Sequence, residues 1–428
     1  MRKPWRFAKT GQLDRPLDSA GRLWVGQWYG LLLLILMSFF PRLFHIEEYL
    51  FFGFLLIAIV TTAVQWRRGN SISVRTPIDL PLCMVLAWIL FSIPFAIDPA
   101  YSFSEWRKLI VQVLVFYWTV GVLRSSFDIA KLWSVLGVIV AATLILCSYA
   151  LIDFVLQGGS FHDRDVRARA PYSDYNWLST YLVLATPLLI VCLVTTQTHW
   201  RRYLTLFVAS LALFGHLFSY TRAGWAAVLA QGLFGGLASK HRRLLLMLLV
   251  AVGCILLAAL MLPMLGYQQQ TASFNTLQYR LAVWKLSVKE LASHPMFGIG
   301  YGSETFNMRF AGYPELHDAK GVHNMFLMIA LGSGIPALMF LLWTIGRALK
   351  AIMVVMHTMD ESALAVMLIG IGASIVGFSV RNLFDYMMIG SLGFLFWIVL
   401  GVGMVAVSTS ERSAAKARDF GSSDTSCA

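Results

Sequence analysis

Arg280, His294, Arg309, His317 and His323 all fall inside one polar interruption, Tyr267 to His323, of a chain otherwise built from apolar runs. A neutral imidazole can take the proton of an attacking hydroxyl near neutral pH. A guanidinium stays charged and grips phosphate oxygens in pairs. Further arginines stand at comparable positions. Arg164, Arg167 and Arg169 precede an apolar run, Arg222 lies in the four-residue reversal Ser219 to Arg222, and Arg381 stands near Asp385. Cations gathered on one side of a membrane point to an anionic, phosphate-bearing substrate at its surface.

Each of these residues has a plainer role to weigh. Arg167 and Arg169 can anchor a loop at lipid headgroups, and Arg222 can reach from a span end to the interface. In Gln278-Tyr279-Arg280-Leu281-Ala282-Val283-Trp284, Leu281, Trp284, Val288 and Leu291 recur at helical spacing, which predicts that they form the packing stripe of a helix. Arg280 falls off that stripe, on a face open to solvent. His323 opens an apolar run, where histidine also serves as an interfacial cap. His294 precedes Pro295, which stops the preceding helix, and is taken as structural. Asp163-Arg164-Asp165 has the two-carboxylate spacing of a divalent-cation site, but two acids beside three arginines also pair among themselves. Gly298, Gly300 and Gly302 follow no strand, so they do not read as a nucleotide loop.

The elements that must hold these side chains follow from composition. With 58% hydrophobic and 13% charged residues and repeated apolar stretches long enough to cross a bilayer, the chain reads as an all-α polytopic membrane protein. Spans are expected near 24–40, 44–66, 80–97, 109–123, 130–155, 176–195, 203–219, 223–239, 244–266, 324–346, 362–380 and 387–408, about twelve in all. The formal charge of +12 does not indicate nucleic acid, because Lys and Arg occur in short clusters between apolar runs. Clusters such as Arg67/Arg68, Arg201/Arg202 and Lys240/Arg242/Arg243 place both termini in the cytoplasm by the positive-inside rule. The organisation expected is a cytoplasmic segment at 1–23, a membrane domain at 24–408 with an outer insertion at 267–323, and a disordered cytoplasmic tail at 409–428. The cysteines, Cys83, Cys147, Cys192, Cys254 and Cys427, show neither disulfide nor metal spacing.

Four stretches together resemble the O-antigen ligase and polymerase superfamily. They are Arg169-Ala170-Pro171 followed by Asn176; Ser219 to Trp225; Tyr279 to Gly302 with its His-Pro-x-x-Gly-x-Gly core; and His323-Asn324 followed by Gly332-Ser333-Gly334-Ile335. The likeness spans roughly residues 160 to 400 and is most like the ligase branch. It implies a GT-C-type membrane fold with one long periplasmic helical segment, in the bacterial inner membrane. It implies a glycosyltransferase without a cofactor or metal, whose donor is an undecaprenyl diphosphate-linked O-antigen and whose acceptor is the lipid A core oligosaccharide. Matched by motif, Arg222 and Arg280 become the essential arginines and His323 the essential histidine. Arg169 is the matching loop arginine, with Arg167 two residues away. Arg167, Arg169, Asn176, Tyr220, Tyr279, Arg309, His317, Asn324 and Arg381 are the expected substrate-binding residues around them. Polymerases of the superfamily usually carry two sizeable outer loops and its protein O-oligosaccharyltransferases tend to be longer, whereas the 156–175 loop here is modest and only one segment is long, which favours a ligase and leaves those two as the alternatives. A transporter of lipid-linked glycans would bury paired charges mid-span and show repeats; Glu47, Glu48 and the Arg381/Asp385 pair lie only near span ends.

Overall fold

The computed structural model describes residues 19–38, 74–125, 129–160, 166–238 apart from 172, 272–313, 321–359 and 362–423, with short helical pieces between 52 and 60. Among the described residues the structure is helical and contains no strand: α1 (Ser19–Ser38), α2 (Asp79–Ser92, continued by a 3-10 turn Ile93–Phe95), α3 (Pro99–Ser125), α4 (Ile129–Leu156), α5 (Tyr175–Thr195), α6 (His199–Phe218), α7 (Arg222–Ala238), α8 (Ala272–Ser293), α9 (Ser303–Phe310), α10 (Met325–Thr358), α11 (Ala363–Arg381) and α12 (Gly390–Ser423). Six of them, α3, α4, α5, α10, α11 and α12, contain stretches long and apolar enough to cross a membrane. That is the architecture of a polytopic membrane protein, in which every backbone polar group must be satisfied within its own segment.

The apolar stretch of α12, Gly390–Ser410, is 94% buried, whereas that of α4 is only 44% buried. α12 is therefore the central helix, packed against α1, α3, α10 and α11, and its all-round apolar sequence suits that position. The helix α4 lies at the periphery and shows an apolar face outward.

Helix register decides which ends meet. α5 and α7 run parallel: Gly224 lies against Ser179, and further along both helices the Gln231 amide donates to the Val183 carbonyl. α11 runs antiparallel to both. Ser374 Oγ donates to Leu184 O at 2.9 Å and Arg381 reaches Asn176, while Gly377 and Gly372 lie against Gln231 and Phe234 of α7. The first amide of α10, Met325 N, donates to Asn382 O at 2.9 Å and to Asp385 O at 3.0 Å. The N-termini of α5, α7 and α10 and the C-terminus of α11 thus share one end of the bundle.

Two glycine motifs lock together beneath that end. Gly334 has φ +85° and breaks α10. The carbonyls freed there are taken up: Ile299 N donates to Leu331 O at 2.8 Å, Gly300 N to Gly332 O at 2.9 Å, and the Trp88 indole to Ser333 O at 3.0 Å. In return Ile335 N donates to Pro295 O at 2.8 Å. A Cβ on Gly334 would strike the Met296 carbonyl, and one on Gly298 (φ +67°) would strike Leu331 and Gly332. The 298–302 glycines therefore serve backbone contact between a loop and a kinked helix.

α8, α9 and the start of α10 share a small second core of Val283, Ile299, Phe306, Phe310, Met328 and Leu331. The expected stripe of α8 holds in part, with Trp284 and Leu291 packed against this core. Leu281 and Val288 are 52% and 54% exposed, while Val283 and Ser287 are buried and Trp284 donates to Val322 O at 2.9 Å.

Ten of the twelve expected spans fall on helices, but only six of those helices are long and apolar enough to cross a membrane; the runs at 44–66 and 244–266 lie largely or wholly outside the described residues. The short run at 109–123 is the second half of a longer helix, α3. The tail expected to be disordered from 409 continues α12 as helix to Ser423, since its Ser-Ala-Ala-Lys-Ala-Arg sequence is rich in helix formers.

Candidate functional site

His323 occupies the shared end of the bundle in a left-handed conformation, φ +51°, after Gly321 at φ +115°. A non-glycine residue held there signals a side chain placed by its surroundings. The next residue, Asn324, caps α10 by accepting from Leu327 N at 3.0 Å. The cap fixes where α10 starts, and with it the direction in which His323 leaves the helix.

The His323 ring meets the connector between α11 and α12. Its Nδ1 lies 3.3 Å from Asp385 Oδ1, an oxygen that also accepts from Tyr386 N at 3.0 Å. The other carboxylate oxygen faces Arg381 Nη2 at 3.5 Å, and the same Nη2 donates to Asn176 Oδ1 at 3.0 Å. The connector is itself braced, with Met387 N donating to Asn382 Oδ1 at 2.7 Å. Burial alone raises a carboxyl pKa, but the His323 hydrogen bond and the Arg381 charge outweigh it and hold Asp385 below the usual carboxylate range. An ionised carboxylate only accepts, so His323 Nδ1 carries the proton and Nε2 is left as the basic nitrogen. The His323 side chain is 29% exposed, enough for a substrate hydroxyl to approach the ring.

Charge at this end is positive. Arg280 of α8 lies close enough for its charge to act on Arg381. Arg222 begins α7, whose antiparallel register with α11 brings it level with the 382–385 connector; it is exposed. Arg222 and Arg280 have neither an ion pair nor a hydrogen bond among the described residues. The N-termini of α5, α7 and α10 add the positive ends of three helix dipoles. Two guanidinium groups without partners among the described residues, at the same bundle end as an imidazole held by a carboxylate, supply the chemistry to bind a diphosphate and accept a proton.

The remaining expected residues divide clearly. Ala168 N donates to Phe218 O at 2.9 Å and Tyr220 Oη to Ser160 O at 3.4 Å, so the described residues around 160 and 168 lie over the α6–α7 turn. Within that loop Arg169 is held by Asp153, Nε to Oδ2 at 2.9 Å, and the Arg167 guanidinium stacks 4.4 Å from the Tyr175 ring. Tyr220 adopts φ +49° in the turn, and Tyr279 is partly buried against the second core. Arg309 Nε donates to Glu290 Oε1 at 2.8 Å, an oxygen shared with His294 Nδ1 at 3.2 Å. That pair ties α9 to the end of α8. His317, Asp163, Arg164 and Asp165 lie outside the described residues.

Sequence reasoning did not connect Asp385 to His323. The available signal was the Arg381-x-x-x-Asp385 spacing at a helix end, which pairs a carboxylate with a cation but does not say what else it faces. It also missed the hydrogen-bonded side chains of Tyr301 and Tyr386, which tie the glycine loop to the Asp385 connector. Burial pushes Tyr386 up to about 12 and Tyr301 well above the ordinary phenol value.

Residues 206–342 match the family model described as O-antigen ligase. The match runs from α6 into α10 and includes Arg222, Arg280, the interlocked glycines and His323. No curated protein matches the chain.

Proposed function

We propose that this chain, whose residues 206–342 match the O-antigen ligase family model, is a ligase that transfers an O-antigen glycan from undecaprenyl diphosphate to a sugar of the lipid A core. The observation that carries this reading is the oriented His323–Asp385 pair on the same bundle end as two arginines that have no partner among the described residues. His323 Nε2 takes the proton of the acceptor hydroxyl as its oxygen attacks the anomeric carbon. The bond between that carbon and the diphosphate oxygen breaks, and undecaprenyl diphosphate leaves with the negative charge. Arg222 and Arg280 bind the diphosphate and stabilise that charge as it grows. Asp385 stabilises the imidazolium until the proton is released to solvent. A single displacement of this kind inverts the anomeric centre.

Two guanidinium groups can neutralise a diphosphate in the way a divalent cation does, which supports a metal-independent reaction. Full turnover in chelator is the expected result; loss of turnover restored by Mg²⁺ or Mn²⁺ would bring Asp163 and Asp165 back. In this reading the chain lies in the bacterial inner membrane with both termini cytoplasmic, and the His323 end faces the periplasm.

The same chemistry with a second lipid-linked glycan as acceptor would make a polymerase, and the modest 157–174 loop favours the ligase. Reconstitution with lipid-linked donor and either acceptor decides by product identity. His323→Ala is expected to abolish transfer while donor binding survives, and undiminished transfer would remove His323 from the mechanism.

A further inference from the structure

Arg381 ends α11 and is only 1% exposed. Its Nη2 contacts Asn176 Oδ1 and Asp385 Oδ2, and its Nε has no hydrogen-bond partner among the described residues. Burying an incompletely bonded guanidinium is costly, and an apolar side chain would pack here without that cost. The position therefore retains a charge for what the charge does. It engages one oxygen of Asp385 and leaves the other to face His323 and Tyr386 N. It also joins the first turn of α5 to the end of α11 through Asn176. The charged groups around it are Asp385 on the connector, His323 before α10, Arg280 on α8 and Asp174 before α5.

We infer that Arg381 is a positioning residue for the transfer reaction: it clamps Asp385 between Asn176 and His323 and so sets the His323 ring, and it does not hold the donor diphosphate. This deepens the reading of His323 as the base and rests on it. Arg381 is nearly inaccessible, whereas Arg222 is exposed, so a diphosphate arriving at this end meets Arg222 first. One nitrogen, Nη2, spans the two acceptors, Asn176 Oδ1 at 3.0 Å and Asp385 Oδ2 at 3.5 Å, and so ties the start of α5 to the connector.

The test is steady-state kinetics of the full chain in nanodiscs, with undecaprenyl diphosphate-linked glycan and lipid A core as substrates. Arg381→Met is expected to lower kcat about 100-fold with the donor KM within about 3-fold of wild type. Asp385→Asn is expected to lose a similar factor, and the double variant no more than Asp385→Asn alone, because both changes remove one device. Arg381→Lys is expected to recover part of the loss. A donor KM raised about 10-fold at unchanged kcat would make Arg381 a donor ligand and overturn the inference. Losses that multiply in the double variant would overturn it as well, by making Arg381 act independently of Asp385.

If Arg381→Met does not fold, Arg381→Lys and Asn176→Ala carry the same kcat-against-KM test, with thermal unfolding as the check on integrity. A His323→Ala protein that turns over normally removes the underlying reading. An inactive His323→Ala protein together with multiplying losses removes only the clamp.

Discussion

His323 Nδ1 lies 3.3 Å from Asp385 Oδ1, across 62 residues of chain. The contact exists because α10 begins where α11 ends, with Met325 N donating to the carbonyls of Asn382 and Asp385. Backbone pairing thus sets the side-chain pair. Asp385→Asn keeps the shape but offers an amide where an acceptor is needed, and the imidazole loses the partner that fixes its tautomer. In the reading above kcat is expected to fall at least about 100-fold, as for other buried acids that orient a histidine base, with the donor KM little changed. An unchanged kcat would detach Asp385 from the chemistry.

Acid stability follows from the same carboxylate. Its pKa is depressed in the folded protein, so its contribution is present above the ordinary carboxylate pKa of about 3.9 and is lost as pH falls through the lower folded value. The gap in melting temperature between wild type and Asp385→Asn is expected to hold at mildly acidic pH and to close below about pH 4. Unfolding in detergent across that range measures it; a gap that widens on acidification contradicts the sign.

The glycine lock makes a separate prediction about stability. Gly334→Ala and Gly298→Ala each combine a strained left-handed φ, costing about 1–3 kcal/mol, with a clash against backbone that cannot move aside. Both are expected to lower the melting temperature by several degrees, while Gly346→Ala in α10, with open space around it, is expected to be neutral or slightly stabilising. Equal behaviour of the three would show that the loop and the kink are not locked.

The arginines of this end are expected to separate by partner. Arg169 is committed to Asp153, so a charge swap, Arg169→Asp with Asp153→Arg, should restore much of what either change loses. Arg222 has no such partner among the described residues, and Arg222→Lys is expected to raise the donor KM or lower kcat about 10-fold or more, because a point charge cannot fork onto two phosphate oxygens. Transfer kinetics of the four variants test this, and an Arg169 defect untouched by the swap would make Arg169 a substrate ligand instead.

Much of the scaffold was legible in the sequence. The runs at 130–155 and 176–195 coincide within a residue with α4 and α5, because in a membrane an apolar run has only the helix in which to satisfy its backbone. Pro295 ended α8 for an equally local reason, its missing amide and blocked φ. The partners were not legible. Nothing local shows that Arg169 and Arg309 are consumed by carboxylates while Arg222 and Arg280 meet none among the described residues, or that Leu281 and Val288 turn outward. Nor does a run of glycines announce that it seats against a kink in another helix. Helix existence depends on the solvent of the backbone, which composition reveals. Which side chains meet depends on the register and direction of packed helices, and those are set only when α5, α7, α10 and α11 bring their ends to one place.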